Sequence, residues 1–326
     1  MGISHYIKDI GRGARGARAV THEQAQDLLG QVLDGQVTDL EIGAFCIAMR
    51  IKGESADEMG GFLDALHARS RKFAASTRPT VVLPSYNGAR RLPVLTPLLA
   101  LLLAREGLPV LLHGMRTEAR RVLASDVLEA LGIPATHAPQ DPSLELPAIA
   151  PGTIAHIATG ELQPGLARLL AVREVIGLRN PGHSAAKLYI PCAGPSVLVT
   201  SYTHPEYASM LQECLQAQGA SALLSRGLEG EVVADPRRSP RYDGFVHGAH
   251  RLLQEQQPGT ASEVAGLPEA IDVATTADYT RRVLAGELPV PEAIAQQVAF
   301  ILQIVQALEA APESTPRRPA SDGVQP

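Results

Sequence analysis

Apolar positions recur at helical spacing through the first 75 residues. Leu28, Leu29, Val32 and Leu33 follow the capping pair Thr21 and Gln24, Ile42, Phe45, Cys46 and Met49 share a face of the next segment, and Met59, Phe62, Leu63 and Leu66 follow Ser55. Three short helices are predicted. From residue 80 the period changes to an apolar run (80–83), an apolar helix, a second short run (109–113) and an amphipathic helix ending near Gly132, which reads as strand, helix, strand, helix in a parallel sheet. Residues 196–201 and 220–225 read as further strands with a helix at 206–218 between them, and 277–285 and 291–308 as late helices. The last carries Ile294, Val298, Ile301, Leu302 and Val305 as one stripe, a core face against the sheet.

Ligands on parallel sheets sit where strands end and helices begin, so two turns draw attention. Pro84-Ser85-Tyr86-Asn87-Gly88-Ala89-Arg90-Arg91 follows the first strand, and His113-Gly114-Met115-Arg116 follows the second. The longest apolar run, residues 98–104, is far short of the roughly 20 residues of a bilayer span, and no leader pattern opens the chain. A cytoplasmic protein without membrane attachment is expected. Cys46, Cys192 and Cys214 have no metal or disulfide spacing and read as buried thiols. His247 and His250 are three apart with no acidic partner near them in sequence, and no metal site is expected.

Charge is uneven. The formal net charge of −5 divides into +4 over residues 1–121 and −9 over the rest, a local anion-binding face on an acidic protein. Lys8, Arg12, Arg15 and Arg18 lie in or beside a Gly/Ala-rich stretch that reads as a pliable arm able to fit a phosphate backbone, or equally as a solvated loop. Residues 235–242 form a turn-rich basic loop, and 310–326 a disordered tail.

One combination is specific. Asp34-Gly35-Gln36-Val37-Thr38 with Glu41 through Ser55, Ser125 through Gly132, and Val172-Arg173 through Arg179 resemble the anthranilate phosphoribosyltransferase family, which shares its fold with pyrimidine nucleoside phosphorylases. The resemblance covers nearly the whole chain. It implies an α/β protein: a small α-helical domain (1–75, completed by about 162–185) beside a larger α/β domain (76–161 and 186–309) with a mixed, largely parallel sheet flanked by helices. It also implies a cleft between the domains and a homodimer through the helical part.

The family's active residues carry over poorly. Its GTGGD diphosphate loop falls on Pro84-Ser85-Tyr86-Asn87-Gly88, where proline removes a donor and tyrosine adds bulk. Its KHGNR falls on Leu112-His113-Gly114-Met115-Arg116, and its phosphate-holding serines on Ala119 and Arg120. In the GxDGxDE segment, whose acidic pair holds Mg²⁺, valines 232 and 233 replace the pair, though a shift of register would bring Glu229 and Glu231 there. Asp126 remains, at a place where an early helical carboxylate is also ordinary.

Arginine replaces the lost groups. Arg90, Arg91, Arg116, Arg120 and Arg121 cluster on the two turns with His113, and Lys72, Arg78, Arg179, Lys187 and the N-terminal arm extend the set. This pattern resembles the YbiB-type branch of the family, which implies binding of DNA, and RNA, through the backbone with little sequence preference. Arg173 matches a residue that touches the aromatic acceptor in the relatives, a vestigial site here. No catalytic residue and no cofactor are expected under this reading. The alternative is an enzyme, a glycosyl or phosphoribosyl transferase with an unknown acceptor, for which Mg²⁺ and phosphoribosyl diphosphate would be needed.

Overall fold

The computed structural model of the protein describes residues 2–13, 15–115, 121–141 and 144–310. Helix α1 (Ser4–Ile10) opens it, followed by α2 (His22–Leu33), α3 (Asp39–Lys52) and α4 (Ala56–Arg69). The last three each start at a reciprocal cap, Thr21 with Gln24, Thr38 with Glu41 and Ser55 with Glu58, so both orphan donors of the first turn are satisfied from the sequence itself. Helices α2 and α4 pack closely because Gly61 is bare; a Cβ there would collide with the His22 carbonyl oxygen. Removing one such cap by Thr38→Ala is expected to cost about 1 kcal/mol in urea unfolding, with the m-value unchanged.

The N-terminal stretch is no free arm over its first part. Ile3, Tyr6 and Ile10 are buried, the Tyr6 hydroxyl donates to Asp27 at 2.7 Å, and the Ile3 amide donates to Glu41 at 3.0 Å. Their i, i+3, i+7 spacing is a helical face that the neighbouring glycines and arginines obscured. Of the chain after it, Arg18 is tied by its amide to the carbonyl of Asp9.

The α/β domain supplies β1 (Thr80–Ser85), α5 (Thr96–Arg105), β2 (Val110–Gly114), α6 (Ala124–Ala130) and β3 (Ile154–Ala158). The chain then passes through α7 (Thr159–Leu162), α8 (Pro164–Ile176) and α9 (Pro181–Leu188), of which α8 and α9 pack on the N-terminal helices. It returns as β4 (Ser196–Tyr202), α10 (Glu206–Ala217), β5 (Ser221–Arg226), β6 (Tyr242–Val246), β7 (Ala249–Gln254), α11 (Val273–Leu284) and α12 (Glu292–Ala310). The seven strands run in the order β3-β2-β1-β4-β5-β6-β7, parallel through β5 and antiparallel beyond it. The strand order reverses between β1 and β4, so their carboxyl ends open a crevice, where such sheets bind ligands.

One detail differs from the sequence reading, and the last helix agrees with it. The hairpin of β6 and β7 follows the basic loop, turning at His247 and Gly248, both with positive φ (49° and 79°). Pairing across it brings His250 within 2.8 Å of Asp243, an acidic partner that the sequence reading overlooked. Helix α12 has the length and apolar content of a membrane span, but Ile294, Ile301, Ile304 and Val305 are buried and the helix packs on β4, β5 and β6.

Candidate functional site

The turn after β1 is the centre of the site, and its backbone donors are already taken. Glu231, 2% exposed, reaches into it from the loop after β5. Its Oε1 accepts the amides of Asn87 and Gly88, both at 2.8 Å, and its Oε2 accepts the hydroxyls of Ser85 at 2.5 Å and Thr96 at 2.9 Å. Thr96 is the first residue of α5, so the carboxylate also sits at a helix N-terminus, where negative charge is favoured. Next to it, Glu229 accepts the amides of Arg90 at 2.6 Å and Arg91 at 3.3 Å. Glu229 holds a left-handed backbone (φ 52°) and Gly230 follows at φ 88°, where a Cβ would meet the side-chain nitrogen of Asn87 at 2.6 Å. The Asn87 side chain donates to the Gly230 carbonyl at 2.6 Å and locks the two loops together.

A turn of this kind is a nest for an external phosphate when its N–H groups are open. Here two of the protein's own carboxylates occupy it. The same fact bears on a metal: Val232 and Val233 are buried, and both nearby glutamates accept from donors of the turn. Among the described residues no group of three or more His, Cys, Asp and Glu is placed to hold a metal. The residues present do not fit a Mg²⁺-diphosphate.

Cations gather beside the closed nest. A cleft of about 470 Å³ is lined by Arg50, Arg121, Arg179, His183 and Lys187, with Glu54, Glu206 and Glu229 as its acidic members. Arg121 donates to the Asn87 carbonyl at 2.9 Å, and Arg179 to the Asn87 side-chain oxygen. Lys187 donates to the Ser201 carbonyl at 2.9 Å. A smaller space of about 280 Å³, lined by Tyr86, Met115, Leu170, Arg173, Glu174 and His183, adjoins through His183. Burial, with Arg179 and Arg173 nearby, pushes the His183 imidazole down to about 3.

The structure thus brings Arg121, Arg179 and Lys187 together and adds Arg50, which the sequence reading passed over as part of a helix. Arg90 and Arg91 are exposed beyond the turn, and Arg91 lines a separate hollow with Arg226, Arg237 and Arg238. That basic loop is largely neutralised, since Arg237 and Arg238 pair with Asp235 and Arg241 with Asp243. Lys8, Arg12, Arg15 and Arg18 lie on the helical domain, with Arg12 exposed and paired to Asp9 at 3.0 Å. Lys72 precedes the sheet, half-buried. Arg116 and Arg120, like residues 311–326 of the expected tail, lie outside the described residues.

Two of the expected phosphate ligands are corrected. Arg78 sits at the amino end of β1, opposite the crevice, where it pairs with Glu309 at 2.9 Å and caps the carbonyls of Glu106 and Gly107. His113 is fully buried, its Nε2 within 3.1 Å of the Tyr189 carbonyl and its Nδ1 2.7 Å from the Tyr86 hydroxyl. Nε2 must donate to that carbonyl, so the neutral ring leaves Nδ1 to accept from the tyrosine. Burial pushes its ionisation down to about 3, and a neutral, enclosed imidazole offers phosphate nothing.

Residues 4–70 match the model of the glycosyl transferase family helical bundle domain. Over 305 residues, 93% of this chain and 94% of the relative, the chain is 40% identical to the uncharacterized protein YbiB of Escherichia coli K12. It is 29% identical to the anthranilate phosphoribosyltransferase of Leifsonia xyli over 79% of this chain and 73% of that one. Among solved structures, the anthranilate phosphoribosyltransferase of Thermus thermophilus superposes with a TM-score of 0.65 at 21% identity, covering 92% of this chain and 89% of that one. The Saccharomyces cerevisiae enzyme in complex with PRPP and Mg superposes with a TM-score of 0.66 at 14% identity, covering 94% and 89%.

Proposed function

The chain belongs to the anthranilate phosphoribosyltransferase-like family of glycosyl transferases, with YbiB among its relatives, and from that premise we propose that it is a cytoplasmic nucleic-acid-binding protein that grips phosphodiester backbone on a scaffold closed to phosphoribosyl diphosphate. The observation that carries this reading is the seat of Glu231 in the diphosphate turn. A dianionic phosphate cannot share four donors with a resident carboxylate, whereas the arginines around the crevice need neither that turn nor a metal to hold phosphate. A homodimer is part of the proposal. Leu40, Ile47 and Ile51 form an exposed apolar stripe on α3 (84%, 37% and 66% exposed), and stripes of this kind mark interfaces.

The test pairs two titrations. Unrelated oligonucleotides should bind with affinity that falls steeply with salt, and calorimetry with phosphoribosyl diphosphate and Mg²⁺ should give no binding heat. Replacing Arg50, Arg90 and Arg91 together by alanine is expected to weaken every oligonucleotide about equally, by about tenfold or more, and to flatten the salt slope by about one unit for each phosphate no longer neutralised. Unchanged binding would place the site elsewhere. Leu40→Asp with Ile51→Asp is expected to convert the dimer to a monomer in light scattering.

A second reading has its own support. At the level of the family, transfer of a pentosyl group is the better-founded activity, and the space of about 280 Å³ beside Arg173 would be the acceptor's site under this reading. The turn geometry weighs against it. Turnover of any phosphoribosyl donor in the titrations above would establish it.

A further inference from the structure

The chain uses 25 arginines and four lysines, and only one lysine lines the crevice. Lys8 lies on α1, Lys72 precedes the sheet, and Lys52 is paired at 2.6 Å with buried Glu58. Lys187, in the last turn of α9, faces the cleft. For holding phosphate an arginine serves better there, as everywhere else in this protein. What lysine alone offers is an amine that can shed its proton and form a bond to carbon.

Its surroundings favour that state. Burial first, and then Arg179, bring the ammonium down to about 8, while Glu231, whose oxygens are engaged by four donors, opposes the shift. Arg50, Arg121, Glu54, Glu206 and Glu229 complete the charged lining of the cleft, with the neutral His183 imidazole beside them. Geometry fixes the amine at this spot: the carbonyl of fully buried Ser201 accepts from Lys187 at 2.9 Å, which holds Nζ in the cleft that Arg50, Arg121 and Arg179 also line.

We propose that Lys187 is the reactive amine of a site for phosphorylated aldehydes, such as an open-chain sugar phosphate or the abasic residue of a nucleic acid, with the cleft arginines holding the phosphate. The proposal rests on the anion-binding reading of the cleft and deepens it. The neutral Nζ adds to the carbonyl carbon and the carbonyl π electrons pass to oxygen; the two protons that nitrogen sheds go to that oxygen, which leaves as water as the nitrogen lone pair forms the C=N bond. The proton released by the ammonium passes to solvent, no oxidant is needed, and hydrolysis reverses the step.

The full-length protein is incubated with pyridoxal 5′-phosphate or with pyridoxal, each reduced in place by sodium cyanoborohydride, and the product is mapped by peptide mass. Labelling is expected at Lys187 alone, at least about tenfold more efficient with the phosphorylated aldehyde, and rising between about pH 7 and pH 9. Lys187→Arg keeps a cation and should take no label; excess inorganic phosphate should protect the native protein, a readout that needs no variant. Labels spread over all four lysines, or equal labelling by pyridoxal, overturn the proposal. Parallel reductions with deoxyribose 5-phosphate and with an oligonucleotide carrying an abasic residue identify the source of the aldehyde. Oligonucleotide binding without any trapping sinks the role of Lys187 and spares the nucleic-acid reading. Trapping of the free sugar phosphate with no oligonucleotide bound supports the amine and sinks nucleic acid as the partner.

Discussion

Glu231→Ala is expected to destabilise the protein by about 3–5 kcal/mol, because it strips the acceptor from two buried amides and two hydroxyls at once. Glu231→Gln is expected to lose much less, about 1–2 kcal/mol. Its oxygen can still accept the Asn87 and Gly88 amides, and its NH₂ can donate to the oxygens of Ser85 and Thr96. The alanine variant also reopens the nest. Inorganic phosphate or diphosphate at about ten times its Kd should restore roughly 1.4 kcal/mol to that variant, seen as a rise in Tm that the wild type does not show. Equal stability of wild type and Glu231→Ala would mean that the carboxylate holds nothing, and the argument against a diphosphate in this turn would go with it.

Acid should unfold the protein early, through His113. Its folded-state ionisation, about 3, lies below the ordinary 6.5 of the unfolded chain, so between those values the unfolded state binds a proton that the folded state refuses. Stability therefore declines as pH falls below 6.5, by up to about 1.4 kcal/mol per pH unit from this group, or of the order of 5 kcal/mol across the window. Above that pH the contribution is constant. Urea unfolding of wild type and His113→Gln between about pH 7 and pH 4 measures it, and the variant should show a slope shallower by about one proton. Matching slopes would show that His113 is protonated in the folded state, which would return it to the phosphate ligands.

The helical domain was the most legible part of the chain, because its signals are local. The pairs Thr21 with Gln24 and Ser55 with Glu58 set helix starts within four residues, and the apolar stripes of α2, α3 and α4 need no knowledge of a partner. The strand-helix alternation from Thr80 and the family resemblance pointed to the sheet. Helix α1 was missed although Ile3, Tyr6 and Ile10 carried its period, and the β6 and β7 hairpin although His247 and Gly248 mark its turn.

The site was legible as a set of residues and illegible as a device. Set against the resembling family, the sequence has other residues in place of the glycine loop, valines at the expected Mg²⁺ pair, and abundant arginine nearby. It left Glu229 and Glu231 open as substitutes for that pair after a shift of register, with no metal site expected, and counted His113 and Arg78 among the phosphate ligands. Only the tertiary structure decided these roles. Carboxylates far downstream of the turn fill it, His113 is sealed beneath Tyr86, and Arg78 lies at the wrong end of its strand. The reason is physical: caps and periodicities act over a few residues along the chain, whereas hydrogen-bond occupancy and desolvation depend on which distant loops fold against one another.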